Sequence, residues 1–376
     1  MQSFVSSSVW LAMVVLLSAA SCSSDDDAAP ADDVEIQSVA IAPAASPFPR
    51  LSKWGLFSDV ERFTPNARVI PYDVVSAFYS DYAYKRRFLY IPEGETIGYD
   101  ETGLWQYPVG TILVKTFSYL PDLRDPQPGI DNGEQLLETR LLVRYEDEWK
   151  AHTYVYDGSG DAVRRAAGTT ISASWIDVNG ETVENEYIVP NTNECAECHG
   201  ESPDIDTLGG RTRQFNREFD YGAGLENQID HLASLGLFDR EPPAERETLL
   251  DPFGDGPLFD RVRSYLDTNC GACHSSGRAA SQSALLLGWE DTAEGQPDAN
   301  WGRCKPPTSA GGATCGNTYD VVPGDPAASI MICRLESVEP KVKMPPLASR
   351  VAHTEAVALI SEWIAQLPAD DCQSTE

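Results

Sequence analysis

Between residues 51 and 190, apolar positions fall in short runs rich in β-branched and aromatic side chains, broken by turn residues. That pattern predicts strands. Residues 85–91 end at Pro92 with a Glu-Gly turn, and residues 111–117 form a second run. Residues 141–145 and 149–156 flank the acidic turn Glu146-Asp147-Glu148, which predicts a hairpin. Residues 171–178 and 186–189 flank Asn179-Gly180, a pair suited to the positive φ angles of tight hairpin turns. The expectation is an antiparallel β domain over residues 50–200.

The period then changes. Ile229, Leu232, Ala233 and Gly236 recur at helical spacing and predict a helix over 225–237, within a helical connecting region 201–256. Leu258, Val262, Tyr265 and Leu266 share one helix face that runs into Cys270. Farther on, Thr354 is expected to cap a helix with Glu355 in its first turn, and Val357, Ile360, Ile364 and Leu367 form its apolar stripe. Residues 257–368 thus read as an all-α domain and 369–376 as a tail. The fold class is α+β: an antiparallel β domain followed by an all-α one.

The chain starts differently. Residues 9–17 are an unbroken apolar run, too short to span a bilayer, and Ser18-Ala19-Ala20-Ser21 supply small residues before Cys22. Residues 1–21 therefore read as a signal peptide. The junction resembles a bacterial lipobox, with Ala19 where Leu is usual and no Lys or Arg ahead of the apolar run. It implies lipidation at Cys22, and so a lipoprotein of the cell envelope, periplasmic or outer-membrane. Residues 22–49, rich in Ser, Asp, Ala and Pro, are too poor in large apolar groups to fold and read as a disordered tether.

A net charge of -30 excludes nucleic acid as a partner, because nothing here neutralises phosphates. It suits solubility, and it would steer the chain toward redox partners with basic surfaces.

Two five-residue motifs carry the chemistry: Cys195-Ala196-Glu197-Cys198-His199 and Cys270-Gly271-Ala272-Cys273-His274. Cys-x-x-Cys-His is the attachment pattern of a c-type haem: two thiols add to two vinyl groups, and the next imidazole reaches the iron. With nine Cys and five His in 376 residues, about 0.003 matches are expected by chance. The competing reading is zinc held by paired Cys-x-x-Cys units, but a zinc ribbon keeps its pairs close and needs no His after each. The expected cofactors are two covalently bound haem c groups, ligated by His199 and His274. Met344, in Lys343-Met344-Pro345-Pro346, is the sixth ligand expected for the second haem, and thioether ligation raises its potential. For the first haem, His231 is the leading histidine and His152 the next, with an open site or a ligand other than His as the remaining reading. His353 reads as a local or surface contact. The other four cysteines, Cys304, Cys315, Cys333 and Cys372, suggest two disulfides. Cys304 with Cys315, flanking a Gly/Pro-rich loop, is the natural local pair, which leaves Cys333 with Cys372. There is no Gly-rich nucleotide loop, G-x-S-x-G or H-E-x-x-H pattern.

The stretch from Pro257 to Leu367 resembles a class I cytochrome c domain through residues 265–274, Met344-Pro345-Pro346 and residues 355–364. Residues 50–368 resemble a bacterial family of diheme c-type cytochromes, often lipoproteins, through residues 51–57, Ser80-Asp81-Tyr82-Ala83, Pro108-Val109-Gly110-Thr111, residues 138–142, Asn227-Gln228 and residues 322–326. That resemblance implies an exported protein that transfers electrons between redox partners. A fainter likeness of residues 108–117 and the Cys195 motif to the cytochrome P460 and β-sheet cytochrome c′ group implies the alternative. This is a haem oxidoreductase acting on peroxide or small nitrogen compounds at an open first haem, with the second as relay. In that group's enzymes a Lys is cross-linked to haem, and Lys115 is the one residue placed for that role.

Overall fold

The structure is a computed structural model. It describes residues 38–369, apart from 201–204, 206, 309–313 and 348, together with Cys372. The expected signal peptide, Cys22, the first part of the tether and most of the C-terminal tail lie outside the described residues.

A six-stranded antiparallel sheet forms the centre, its strands side by side in chain order. They are β3 (Val69–Tyr72), β4 (Tyr84–Tyr90), β5 (Ile112–Tyr119), β6 (Gln135–Arg144), β7 (Trp149–Tyr156) and β8 (Ala162–Arg164). Ahead of it, β1 (Phe57–Asp59) and β2 (Thr64–Pro65) make a short ribbon. After it, β9 (Thr169–Ile176) and β10 (Thr182–Val189) form the hairpin predicted around Asn179-Gly180, with Gly180 at φ +87. The other predicted strands and the β6–β7 hairpin are present, with ends shifted by a few residues.

The sheet is covered on both faces, which is why β5 is buried along nearly its whole length instead of alternating. On one face Phe88, Ile112, Val114, Leu141, Val143 and Tyr154 pack against Leu51, Trp54, Leu56 and Phe57. The expected tether takes part. Ala42 is fully buried, and the Trp54 indole donates to Tyr154 Oη (2.6 Å), which donates to the Phe48 carbonyl (2.8 Å). The body therefore includes residues 38–49, because Ala42, Phe48 and Val39 are apolar enough to join the core. Burying Leu51 and Leu56 contributes about 1.5–3 kcal/mol each.

The opposite face carries two apolar clusters. Leu89 and Leu113 pack with Trp105, Phe215, Ile229, Leu232 and Phe238. Phe117 and Tyr119 pack with Trp175, Tyr187 and Val189 of the β9–β10 hairpin. The region expected as a helical connector is thus part of the β body. It holds α2 (Thr212–Phe215), the ribbon β11 (Glu218–Asp220) and β12 (Leu225–Asn227), and α3 (Gln228–Ser234). The helix expected over 225–237 is shorter because Asn227 Oδ1 accepts from the Ile229 amide and starts it, while Gly236, at φ +69, ends it.

From Leu258 onward the described residues contain α4 (Leu258–Asn269), α5 (Ile330–Glu336) and α6 (Thr354–Gln366), with isolated bridges at Arg303–Val321 and Tyr319–Ser329. Their core includes Val262, Leu266, Ile332, Leu359, Ile360, Trp363 and Ile364. Sequence reading missed α5 because its buried Ile330, Met331 and Ile332 are consecutive and show no helical spacing. Thr354 is not the cap. It is the first helical residue, and its amide donates to Tyr82 Oη (3.2 Å), a tertiary partner in place of a local one. The buried stripe of α6 is Ala356, Leu359, Ile360, Trp363 and Ile364, with Val357 and Leu367 only partly covered.

The disulfides are Cys304–Cys372 and Cys315–Cys333, with Cα separations of 5.0 and 6.5 Å. This corrects the local pairing. The bridges Arg303–Val321 and Tyr319–Ser329 carry Cys315 toward α5, where Cys333 sits. The fold is mixed α+β, and the described residues form one compact unit, not a β domain followed by a separate all-α one.

Candidate functional site

The first motif begins where β10 ends. Asn191 Oδ1 accepts from the amides of Asn193 (2.9 Å) and Glu194 (3.3 Å), and Glu194 returns a carboxylate to the Asn191 amide (2.8 Å). This capping box turns the chain into α1 (Cys195–His199), which Gly200 closes at φ +79. Cys195 and Cys198 thus lie about one helical turn apart. Burial raises the Cys195 thiol, and Arg140 opposes that.

The second motif begins where α4 ends. The Cys270 and Gly271 amides both donate to Leu266 O, and the Cys273 and His274 amides donate to Cys270 O. Position 271 needs glycine, since a Cβ there would sit 2.6 Å from Asp267 O. Burial pushes the Cys270 thiol up to about 12 and lowers His274. His274 Nδ1 lies 3.2 Å from Leu285 O, which selects the Nδ1–H tautomer and leaves Nε2 with a lone pair for a metal.

The fold brings the motifs into contact. Cys273 Sγ lies 3.4 Å from the Glu197 carbonyl. The Cys198 and Cys273 thiols act on each other, which raises Cys198 and lowers Cys273. All four motif cysteines are unpaired, whereas Cys304, Cys315, Cys333 and Cys372 are oxidised. Among the described residues, no three of His, Cys, Asp and Glu converge as a closed zinc site requires.

The contact depends on how α4 docks. Arg213, 2% exposed, pairs with Asp267 (3.3 Å) and Glu290 (3.0 Å) and donates to Thr102 O. Gln214 donates to Thr268 Oγ1 (2.8 Å), and Asn269 Oδ1 accepts from the Tyr79 amide (2.7 Å). The three residues before Cys270 are therefore all engaged by the β body. Beside them a cleft of about 280 Å³ is lined by Arg211, Arg213, Gly271, Ala272 and Ser275.

Met344 borders a small cavity with Tyr79, Tyr265, Pro345, Val351 and His353. Tyr265 sits on α4 just over one turn before Cys270. The segment after Met344 is held by fully buried Asp81, whose carboxylate accepts from the Arg350 and Val351 amides and from Asn185. His353 is partly exposed and more than a local contact: it stacks on Tyr79 (4.1 Å) and bonds Tyr265 Oη (3.0 Å). Its burial lowers it to about 4.

The other histidines lie elsewhere. His231 stacks on Tyr221 (3.5 Å) and bonds Glu226 (2.9 Å). His152 is buried beside Trp54 and bonds Tyr145. It is paired with Leu141, so it occupies the sheet face opposite Arg140, the residue near Cys195. Lys115 is on β5, its Nζ over the rings of Phe78 and Phe117. Sequence reasoning missed Asp81, Arg140 and Arg213. The available signal was charge inside otherwise apolar strand segments, as at Lys85-Arg86-Arg87, Lys115 and Arg140.

No family model, no curated protein and no solved structure matches this chain.

Proposed function

We propose that the chain is an exported diheme c-type cytochrome that transfers electrons between redox partners at the cell envelope. The observation that carries this is the contact between the two attachment motifs, with Cys273 Sγ 3.4 Å from Glu197 O across a sequence gap of more than seventy residues. A fold that seats two haem-attachment turns against each other is arranged for electrons to pass between them. When bound, each haem would supply a one-electron couple at its iron. Cys195, Cys198 and His199 would hold one; Cys270, Cys273 and His274 the other. The chain's own part is to fix orientation and charge: Leu285 O sets the His274 tautomer, and Arg213, Gln214 and Asn269 set the approach of the second motif.

The helices α4, α5 and α6 support a class I cytochrome c-like arrangement around the second haem, with Met344 as sixth ligand. Lipidation at Cys22 would tie the protein to a membrane. The charge of -30 favours partners with basic surfaces and excludes nucleic acid. Among the described residues no helix is long and apolar enough to cross a membrane.

The test is intact mass after maturation by a haem-attachment system, then electron paramagnetic resonance of the oxidised protein. Two haem additions with magnetically interacting ferric centres are expected. One addition, or zinc in place of haem, sinks the proposal.

A second reading has its own observation. His152 is on the wrong sheet face and His231 is engaged by Tyr221 and Glu226, which favours an open first haem. The chain would then be an oxidoreductase for peroxide or small nitrogen compounds. Carbon monoxide added to the reduced protein separates the two. Stoichiometric fast binding with peroxide or hydroxylamine turnover supports the enzyme; slow, substoichiometric binding supports the carrier.

A further inference from the structure

Between the two apolar clusters on one sheet face lies a strip that is not apolar. Register sets Arg87, Lys115 and Arg140 side by side across β4, β5 and β6. Lys85 lies two residues along β4 on the same face. Two of these cations have carboxylate partners: Arg87 pairs with Asp73 (2.6 Å) and Arg140 with Glu138. Among the described residues the other two have none. Lys85 Nζ donates to the Ala83 carbonyl (2.8 Å). Among the described residues, Lys115 Nζ makes neither a hydrogen bond nor an ion pair and meets only the rings of Phe78 (5.6 Å) and Phe117 (5.2 Å). Asp81 is nearby but is taken up by the Arg350 and Val351 amides and Asn185.

Two partly buried ammonium groups with no carboxylate partner among the described residues are costly unless an anion joins them. Burial lowers Lys85 to about 7 and Lys115 well below its ordinary value, each with neighbouring cations adding to the effect. Both keep part of their surface open and are not sealed in the core. The first motif lies near this strip: it follows β10, whose Tyr187 Oη is 3.5 Å from the Arg140 guanidinium, and the charge of Arg140 acts on Cys195 and Cys198.

We propose that Lys85, Arg87, Lys115 and Arg140 form a carboxylate-binding site for the propionates of the haem attached at Cys195 and Cys198. The site rests on the diheme reading and deepens it. It gives Lys115 the role of an ionic partner in place of a cross-link. The same cations would accept a free oxyanion, so the test separates the two sources.

The measurement is infrared difference spectroscopy of the holoprotein with isotope-labelled haem propionates, titrated with acid. Asp73, Asp81, Glu138, Tyr187 and Cys195 also face or adjoin the strip, and the label separates the propionates from them. The carboxylates of one haem should stay ionised below the ordinary carboxylate range, while those of the other titrate within it. All four titrating together in the ordinary range overturns the site. In Lys115→Gln and Lys85→Gln the low-titrating bands should move up, and the potential of that haem alone should fall, because a lost cation favours the ferric state. Labelled bands and potential that match wild type in both loaded variants also overturn it. A variant that does not load haem leaves the wild-type titration to decide. If exchanging chloride for phosphate or nitrate shifts one haem's spectrum while all labelled bands titrate ordinarily, the site belongs to a small anion and the proposal fails. A mass lacking two haem additions is a different result: it removes the underlying reading.

Discussion

The two Cys-x-x-Cys-His turns have the same motif spacing and are positioned by different means. The first is set mostly by its neighbours in sequence: Asn191 and Glu194 exchange capping bonds immediately before Cys195. The second is set mostly by the rest of the molecule. Asp267, Thr268 and Asn269 are held by Arg213, Gln214 and Tyr79, between 54 and 190 residues away. A short motif therefore fixes chemistry without fixing how its position is secured. Local and tertiary positioning should respond differently to substitution.

The largest difference is expected at Arg213. Arg213→Leu removes a guanidinium that is 2% exposed and leaves partly buried Asp267 to the Trp289 amide, which costs about 3 kcal/mol. Urea unfolding should show that loss; a change below about 1 kcal/mol would mean the ion pair does not hold α4. Acid comes next and acts on both regions. Burial lowers His152 in β7 and His353 at the start of α6 from the ordinary 6.5 to about 4. Both are neutral in the fold, while the unfolded chain binds the proton first as pH falls through 6.5. Their stabilisation is present above pH 6.5 and is lost between about 6.5 and 4, on the order of 3 kcal/mol each. His152→Phe should remove about half of that acid loss, with one cooperative transition throughout. An unchanged pH slope, or two separate transitions, would contradict this. Asp81→Asn weakens the anchor of residues 350–351 and should cost about 2 kcal/mol. On the diheme reading it should also shift the potential of the haem expected beside Met344, as potentiometry would report. The smallest effect is local. Asn191→Ala removes the capping box and should cost about 1 kcal/mol and, on the diheme reading, leave both haem additions in the mass. A loss as large as that for Arg213→Leu would erase the distinction.

What could be read from sequence follows the same division. The β6–β7 and β9–β10 hairpins, α4 and both motifs carry their signals within a few residues: an acidic or Asn-Gly turn, a helical stripe, a fixed spacing. The disulfide pairing, α5 and the start of α6 do not. Cys315 reaches Cys333 through bridges that no local spacing encodes, and Thr354 takes its tertiary partner from Tyr82. Phe48 and Ala42 were lost in a Pro- and Ala-rich stretch because few apolar groups suffice once a core stands ready to receive them. The contact between the motifs could not be read either, since neither sequence names its neighbour.

That contact has a consequence for biogenesis. The conditions that oxidise Cys304–Cys372 and Cys315–Cys333 also act on Cys198 and Cys273, two free thiols that the contact between the motifs brings near each other. Loss of two electrons and two protons to the same oxidant would join them, and a joined pair has no thiol left for either vinyl group. On the diheme reading, timing then matters as much as affinity. The earlier turn must receive its haem while the later one is still being delivered or is held apart. Thioether formation at Cys198 then retires that thiol before Cys273 arrives, and the order of assembly protects both attachments.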